Sequence, residues 1–144
     1  METQITCRHP TKGINTRRIR TNLTKILRGL GCHKGELSLL LTDDKEIAEL
    51  NYRFLKRKGP TNVLAFPMRE QGSPEPETPM LGDIVISLDA ALRDADTSGE
   101  AFEETLARLL VHGLLHLVGY DHEVSEEEGR RMDEETYRLL SLIK

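Results

Sequence analysis

Residues 109–118 read Leu-Leu-Val-His-Gly-Leu-Leu-His-Leu-Val, so everything except the two histidines is aliphatic or glycine. A helix that is apolar almost all round has no side to give to water, and other elements must enclose it. The whole chain has 144 residues, one domain's worth of polypeptide, so a single core formed by residues 1–144 has to do the enclosing.

The candidates for that enclosure alternate along the chain. A short strand is expected at residues 4–8, and a helix at 16–30, where Ile19, Leu23, Ile26, Leu27 and Leu30 recur at helical spacing. The apolar run Glu36–Thr42 reads as a buried strand. It is followed by a helix over 43–55 whose inner face holds Ile47, Ala48, Leu50 and Phe54. After the turn Lys58-Gly59-Pro60 comes a strand at 62–66. A proline-rich loop at 69–79 and a strand at 83–87 follow. Helices are expected at 88–95, 100–118 and 126–142, the last opened by Ser125 with Glu128 three residues on, a capping box. This pattern predicts an α/β or α+β fold: a small, mostly parallel sheet covered by helices, with the apolar helix buried at the centre and carrying two metal-ligand histidines.

Composition excludes several classes. With 38% hydrophobic and 31% charged residues the chain is neither disordered nor fibrous. Two cysteines, Cys7 and Cys32, cannot build a disulfide framework, which favours a reducing, cytoplasmic setting. No apolar run reaches the roughly 18 residues of a membrane span, and METQITCRHP lacks the apolar stretch of a secretory signal.

His112, His116 and His122 fall within eleven residues. Residues four apart on a helix lie one turn apart on one face, so His112 and His116 can share a metal ion. Gly119 stands where a left-handed residue would close the helix, and the chain can then return His122 to the same point. Three imidazoles on one Zn²⁺ leave a fourth position open, as in catalytic rather than structural zinc sites. Core histidines bonded to backbone are the alternative, but a shared metal relieves the cost of two imidazoles in an apolar helix more completely. The same spacing occurs in metzincin peptidases, where a glutamate follows the first histidine; here that residue is Gly113. Without that base, metal-assisted phosphodiester cleavage suits the site better than peptide hydrolysis, unless Asp121 supplies the proton transfer. His112 and Asp121 are the residues expected to act in the chemistry.

A net charge of -4 argues against nucleic acid until it is split by position. Residues 1–35 hold eight Lys/Arg against Glu2, a balance of +7, and the remainder carries -11. A second basic cluster, Arg53, Lys56, Arg57 and Lys58, closes the second helix and is expected to bind substrate phosphates. The basic residues at 16–30 read equally as phosphate contacts or as the wet face of a helix. Six aromatic residues give poor support for base stacking. Asp83 reads as a backbone cap or as a carboxylate supporting a ligand histidine from behind. Asn51, Thr61 and Asn62 could line a cleft or make local turn bonds. Neither His9 nor His33 is assigned a role.

The run from His112 to His122, with Leu50-Asn51, Pro60-Thr61-Asn62-Val63-Leu64-Ala65-Phe66-Pro67, Gly82-Asp83-Ile84 and Met132, resembles the YbeY family of bacterial rRNA maturation factors. The resemblance implies a single-strand-specific, metal-dependent endoribonuclease with one zinc on His112, His116 and His122. It also implies action in 16S rRNA 3′-end maturation and ribosome quality control, with ribosomal RNA and the small ribosomal subunit as partners. Departures occur at Leu55, where many members carry an arginine, and at Asn62 and Ala65, where a carboxylate and a hydroxyl are common. Alternatives are a ribosome-associated RNA-binding factor with a structural zinc, and a zinc peptidase.

Overall fold

The computed structural model describes residues 3–9, 14–32, 35–68, 80–120 and 125–143. The 69–79 stretch, Asp121 and His122 lie outside the described residues. Four strands, β1 (Thr3–Cys7), β2 (Glu36–Thr42), β3 (Val63–Pro67) and β4 (Met80–Ser87), form one sheet in the order β1-β2-β4-β3. The β1/β2 and β2/β4 pairs are parallel and β3 is an antiparallel edge. Five helices cover it: α1 (Thr16–Gly29), α2 (Asp44–Leu55), α3 (Leu88–Ser98), α4 (Phe102–Leu117) and α5 (Glu126–Ser141). Among the described residues no helix is long and apolar enough to cross a membrane.

Local chemistry sets most of the boundaries. Side-chain oxygens of Asn15, Asp43, Ser87 and Ser125 accept from backbone N–H groups of the first turns of α1, α2, α3 and α5. The Ser125 bond from Glu128 N is the predicted capping contact. Helix α3 runs three residues beyond the expected end at Ala95 because Asp96, Thr97 and Ser98 stay helical until Gly99, at φ 75, stops it.

The sheet has two unequal faces, because side chains alternate along each strand. Leu37, Leu39 and Leu41 of β2 and Ile84 and Ile86 of β4 form one core with α1, α3, α4 and α5, including Leu23, Ile26, Leu27, Leu110, Leu114 and Met132. Each such side chain fully withdrawn from water contributes about 1.5–3 kcal/mol. On the other face a smaller cluster joins Leu64 and Val85 to Ile47 of α2, with Leu40, Leu50 and Phe66 at its margin. Among the described residues α2 is the helix that packs on that face, and it roofs only part of it.

At the carboxyl end of the parallel strands, charged groups take over from apolar ones. His9 Nε2 lies 2.7 Å from Asp89 Oδ1, and Asp89 Oδ2 accepts from the Asp44 backbone N–H at 3.0 Å. Asp44 accepts from Ser87 Oγ and from both terminal nitrogens of Arg93. His9 therefore has a partner that sequence reasoning missed, 80 residues away along the chain. The Arg93 guanidinium holds the Asp44 carboxyl below its ordinary range, and His9, followed by the Asp44 amide, does the same for Asp89. A carboxylate whose pKa is depressed on folding adds stability above its unfolded value, and that stability disappears as pH falls through the folded value. Asp89→Asn and Arg93→Ala should therefore flatten the fall in Tm between about pH 4 and 2, as measured by thermal melts across that range.

Candidate functional site

Helix α4 places His112 and His116 one turn apart, and their Nε2 atoms stand 3.0 Å from each other. The rings meet edge to face, with centroids 4.5 Å apart and planes at 72°. The helix is enclosed as its composition requires, with Leu109, Leu110, Val111, Gly113, Leu114, Leu115 and Leu117 all buried. The two histidines are only partly buried, so within the apolar stretch from Leu109 to Leu117 they form a polar stripe that opens to the surface.

Gly113 faces the sheet instead. A Cβ there would meet Ile84 Cγ2 at 2.9 Å, so the absence of a side chain lets α4 lie directly on β4. The position that carries a general base in metzincins is a packing contact in this chain. The helix then ends in a Schellman turn: Gly119 N–H donates to His116 O at 3.2 Å and Tyr120 N–H to Leu115 O at 3.0 Å, with Gly119 at φ 103. Arg131 of α5 lies over the Tyr120 ring at 5.8 Å and fixes where the turn emerges.

Two imidazole nitrogens bound to one tetrahedral zinc at about 2.05 Å stand about 3.3 Å apart. The observed convergence at 3.0 Å on a solvent-facing stripe fits such a shared ion. Between metal-free imidazoles the same distance is a hydrogen bond that one ring donates to the other.

The basic residues divide by position. Arg53, Lys56, Arg57 and Lys58 are all exposed around the end of α2, and among the described residues none has an ion-pair partner. Lys56 ends the helix in the left-handed conformation, at φ 57, with its ammonium 5.9 Å from the Tyr52 ring centre. Asn51 is 5% exposed and its Nδ2 donates to Gly59 O, so it shapes this turn from inside. Asn62 instead reaches Asp94 of α3. The α1 bases are spent partly on packing: Arg18 pairs with Glu103 at 2.7 Å and Arg20 donates to the Thr3 carbonyl. Glu103 precedes His112 by nine residues, about 13 Å along the helix, so the Arg18 end of α1 sits away from the histidines.

The cationic turn and the histidines share one end of the sheet. Phe54 of α2 touches Phe66 of β3, at 5.5 Å between ring centres, while Leu117 of α4 abuts Gly82, which pairs in register with Pro67. They lie on opposite faces of the edge strand β3. Asp83 belongs to the α2 face. Its neighbour Ile84 points at Gly113 and into the α4 core, so strand alternation turns Asp83 away from the histidines, between Ser38 on β2 and Phe66 on β3. The reading of Asp83 as a support for a ligand histidine gives way to that placement, which depends on β4 register and not on any local signal.

The chain matches the family model described as Endoribonuclease YbeY over residues 4–144. A relative from Geobacter sulfurreducens named Endoribonuclease YbeY is 41% identical over 145 residues, covering 100% of this chain and 97% of that protein. One of the same name from Aquifex aeolicus is 47% identical over 119 residues, covering 82% and 77%. The solution structure of TM1509 from Thermotoga maritima superposes with a TM-score of 0.66 at 25% identity, over 97% of this chain and 89% of that one.

Proposed function

The chain belongs to the YbeY family of endoribonucleases, and on that footing we propose that it is a single-strand-specific, zinc-dependent endoribonuclease. The observation that carries this reading is the convergence of the His112 and His116 Nε2 atoms on the open stripe of the apolar, largely buried second half of α4. His112, His116 and His122 would hold one Zn²⁺ per chain, and the ion would supply Lewis acidity at the scissile phosphate. The remaining work falls to side chains. Asp121, next to the third ligand, serves as the proton carrier. Arg53, Lys56, Arg57 and Lys58 hold the RNA backbone at the same end of the sheet. Leu55 is apolar and 41% exposed where many family members carry an arginine, so charge at this edge comes from its neighbours. The substrate is ribosomal RNA on the small subunit, in 16S 3′-end maturation and ribosome quality control, and the setting is cytoplasmic.

The purified protein should contain about one zinc per chain and cleave single-stranded RNA while sparing a duplex of the same sequence. Chelation should remove the activity and added zinc restore it. Undiminished cleavage by protein shown to be metal-free would overturn the zinc mechanism. Tight ribosome binding with zinc but no cleavage would leave a binding factor with a structural metal.

A further inference from the structure

Helix α1 carries Arg17, Arg18, Arg20, Lys25 and Arg28 and no acidic residue. Two of these cations are used within the fold: Arg18 pairs with Glu103, and Arg20 donates to the Thr3 carbonyl. Arg17, Lys25 and Arg28 are exposed, and among the described residues none of their side chains has a hydrogen-bond or ion-pair partner. With Thr21 they fall at i, i+4, i+8 and i+11, one line along the helix. That line runs opposite the buried side of Ile19, Leu23, Ile26 and Leu27, so it points away from the core. Arg17 and Arg28, at its ends, stand about 16 Å apart along the axis.

Charge on a wet helical face is ordinarily interleaved, and α5 of the same chain shows this. Its exposed side sets Arg131 against Glu128 and Arg138 against Glu135, three residues apart. Helix α1 does the reverse. Arg17 with Arg20, and Lys25 with Arg28, are like charges three residues apart, which repel. Arg17 and Arg18 also stand in the first turn, where the helix dipole disfavours cations. A row of cations that opposes its own helix, in a chain whose net charge is -4, calls for an anion from outside the chain.

The form of that anion follows from what the stripe lacks. A single strand is held by aromatic side chains on which its bases stack, and α1 has none. The Thr21 and Thr24 hydroxyls are turned back on the helix, donating to the carbonyls of Arg17 and Arg20. What the stripe presents is charge along a straight, rigid line, which fits phosphates whose own spacing is rigid, as on the backbone of a duplex.

We propose that α1 docks on double-stranded RNA, with Arg17, Lys25 and Arg28 each meeting a backbone phosphate, so that the protein holds a paired arm of the molecule whose unpaired segment it cuts. The cutting rests on the endoribonuclease reading above; the docking does not. The stripe and α4 lie on opposite sides of α1, separated by at least its diameter of about 10 Å, so the docked duplex and the strand at His112 and His116 are different parts of one RNA.

The test is equilibrium binding, across a salt series, to an unpaired oligoribonucleotide and to the same oligonucleotide extended by a hairpin stem. Wild type should bind the stem-bearing RNA about tenfold tighter at about 0.1 M salt. Arg17→Gln/Lys25→Gln/Arg28→Gln should remove that advantage and lower the slope of log affinity against log salt by about two to three for the stem-bearing RNA. Binding and cleavage of the unpaired oligonucleotide should stay as in wild type. All three positions are exposed and glutamine is a good helix former, so the thermal melt should not fall. Arg17→Lys/Arg28→Lys should keep the advantage, since lysine serves a phosphate as a point charge. Lys45→Gln, which removes an exposed cation from α2, should cost less than about twofold. No stem advantage in wild type, an advantage that survives the triple substitution, or an equal loss per charge in Lys45→Gln overturns the docking surface even where cleavage is intact. Loss of a ribosomal protein's binding in the triple variant, with both RNAs bound as before, also overturns it and gives the stripe a protein partner. A stem advantage abolished by the triple substitution in a protein that cleaves no RNA supports the docking surface while refuting the nuclease reading.

Discussion

His116→Ala is expected to lose RNA cleavage by on the order of 10³-fold or more, together with bound zinc, while remaining folded. The two halves of this expectation have separate physical sources. Activity depends on a donor set that converges on one point, and the Nε2 atoms of His112 and His116 are 3.0 Å apart, so removing either leaves the other without its geometry. Stability depends on the apolar residues around them, which are buried, whereas the histidines themselves are only partly buried. Water can reach the remaining imidazole, so the truncation should cost no more than about 1 kcal/mol, a few degrees in Tm. Metal content, cleavage rate and a thermal melt on one preparation check all three. Wild-type cleavage by the metal-free variant would remove the histidines from the mechanism, and collapse of the melt would mean that the pair is structural.

What could be seen in the sequence divides along a physical line. The strands Glu36–Thr42 and 83–87 and the helices were legible because their signals are local: apolar runs, 3.6-residue spacing, and capping residues such as Ser125. So was the pairing of His112 with His116, since four residues make one helical turn. Strand order was not legible, because β3 follows α2 in the chain yet, among the described residues, lies at the sheet edge and pairs with β4. The face of Asp83 was hidden for the same reason: adjacent residues of one strand point oppositely, and only the tertiary contact of Ile84 with Gly113 says which is which. His9 and Asp89 are both polar residues with no pattern to join them, and only the parallel pairing of β1, β2 and β4 gathers them at one end of the sheet. Likewise, a count of six aromatic residues discouraged stacking, but it could not show Phe54 and Phe66 meeting across a cleft.

Gly113→Glu, which would complete the metzincin motif, should unfold the protein rather than create a peptidase. The new Cβ would stand 2.9 Å from Ile84 Cγ2, with Cδ1 and Cγ1 at 3.2 and 3.3 Å. Ile84 is itself 0% exposed, so it has little room to retreat. Overpacking of this kind costs about 1–3 kcal/mol for a methyl group alone, and a carboxylate directed into an apolar interface adds several more. That sum is comparable with the whole stability of a domain this size. Gly113→Ala isolates the steric part and should lower Tm by several degrees, without the charge. Its cause can be tested by coupling. Ile84→Ala leaves a cavity and is destabilising alone, by about 2–5 kcal/mol, but it makes space at the point where the alanine methyl intrudes. The double variant should therefore be less destabilised than the two singles predict, by about 0.5–3 kcal/mol. Strict additivity would show that α4 does not need glycine to lie on β4. A Gly113→Glu protein with a wild-type melt and zinc-dependent cleavage of an unstructured polypeptide would show that the helix can move off the sheet. The missing glutamate would then be a chemical choice rather than a packing constraint.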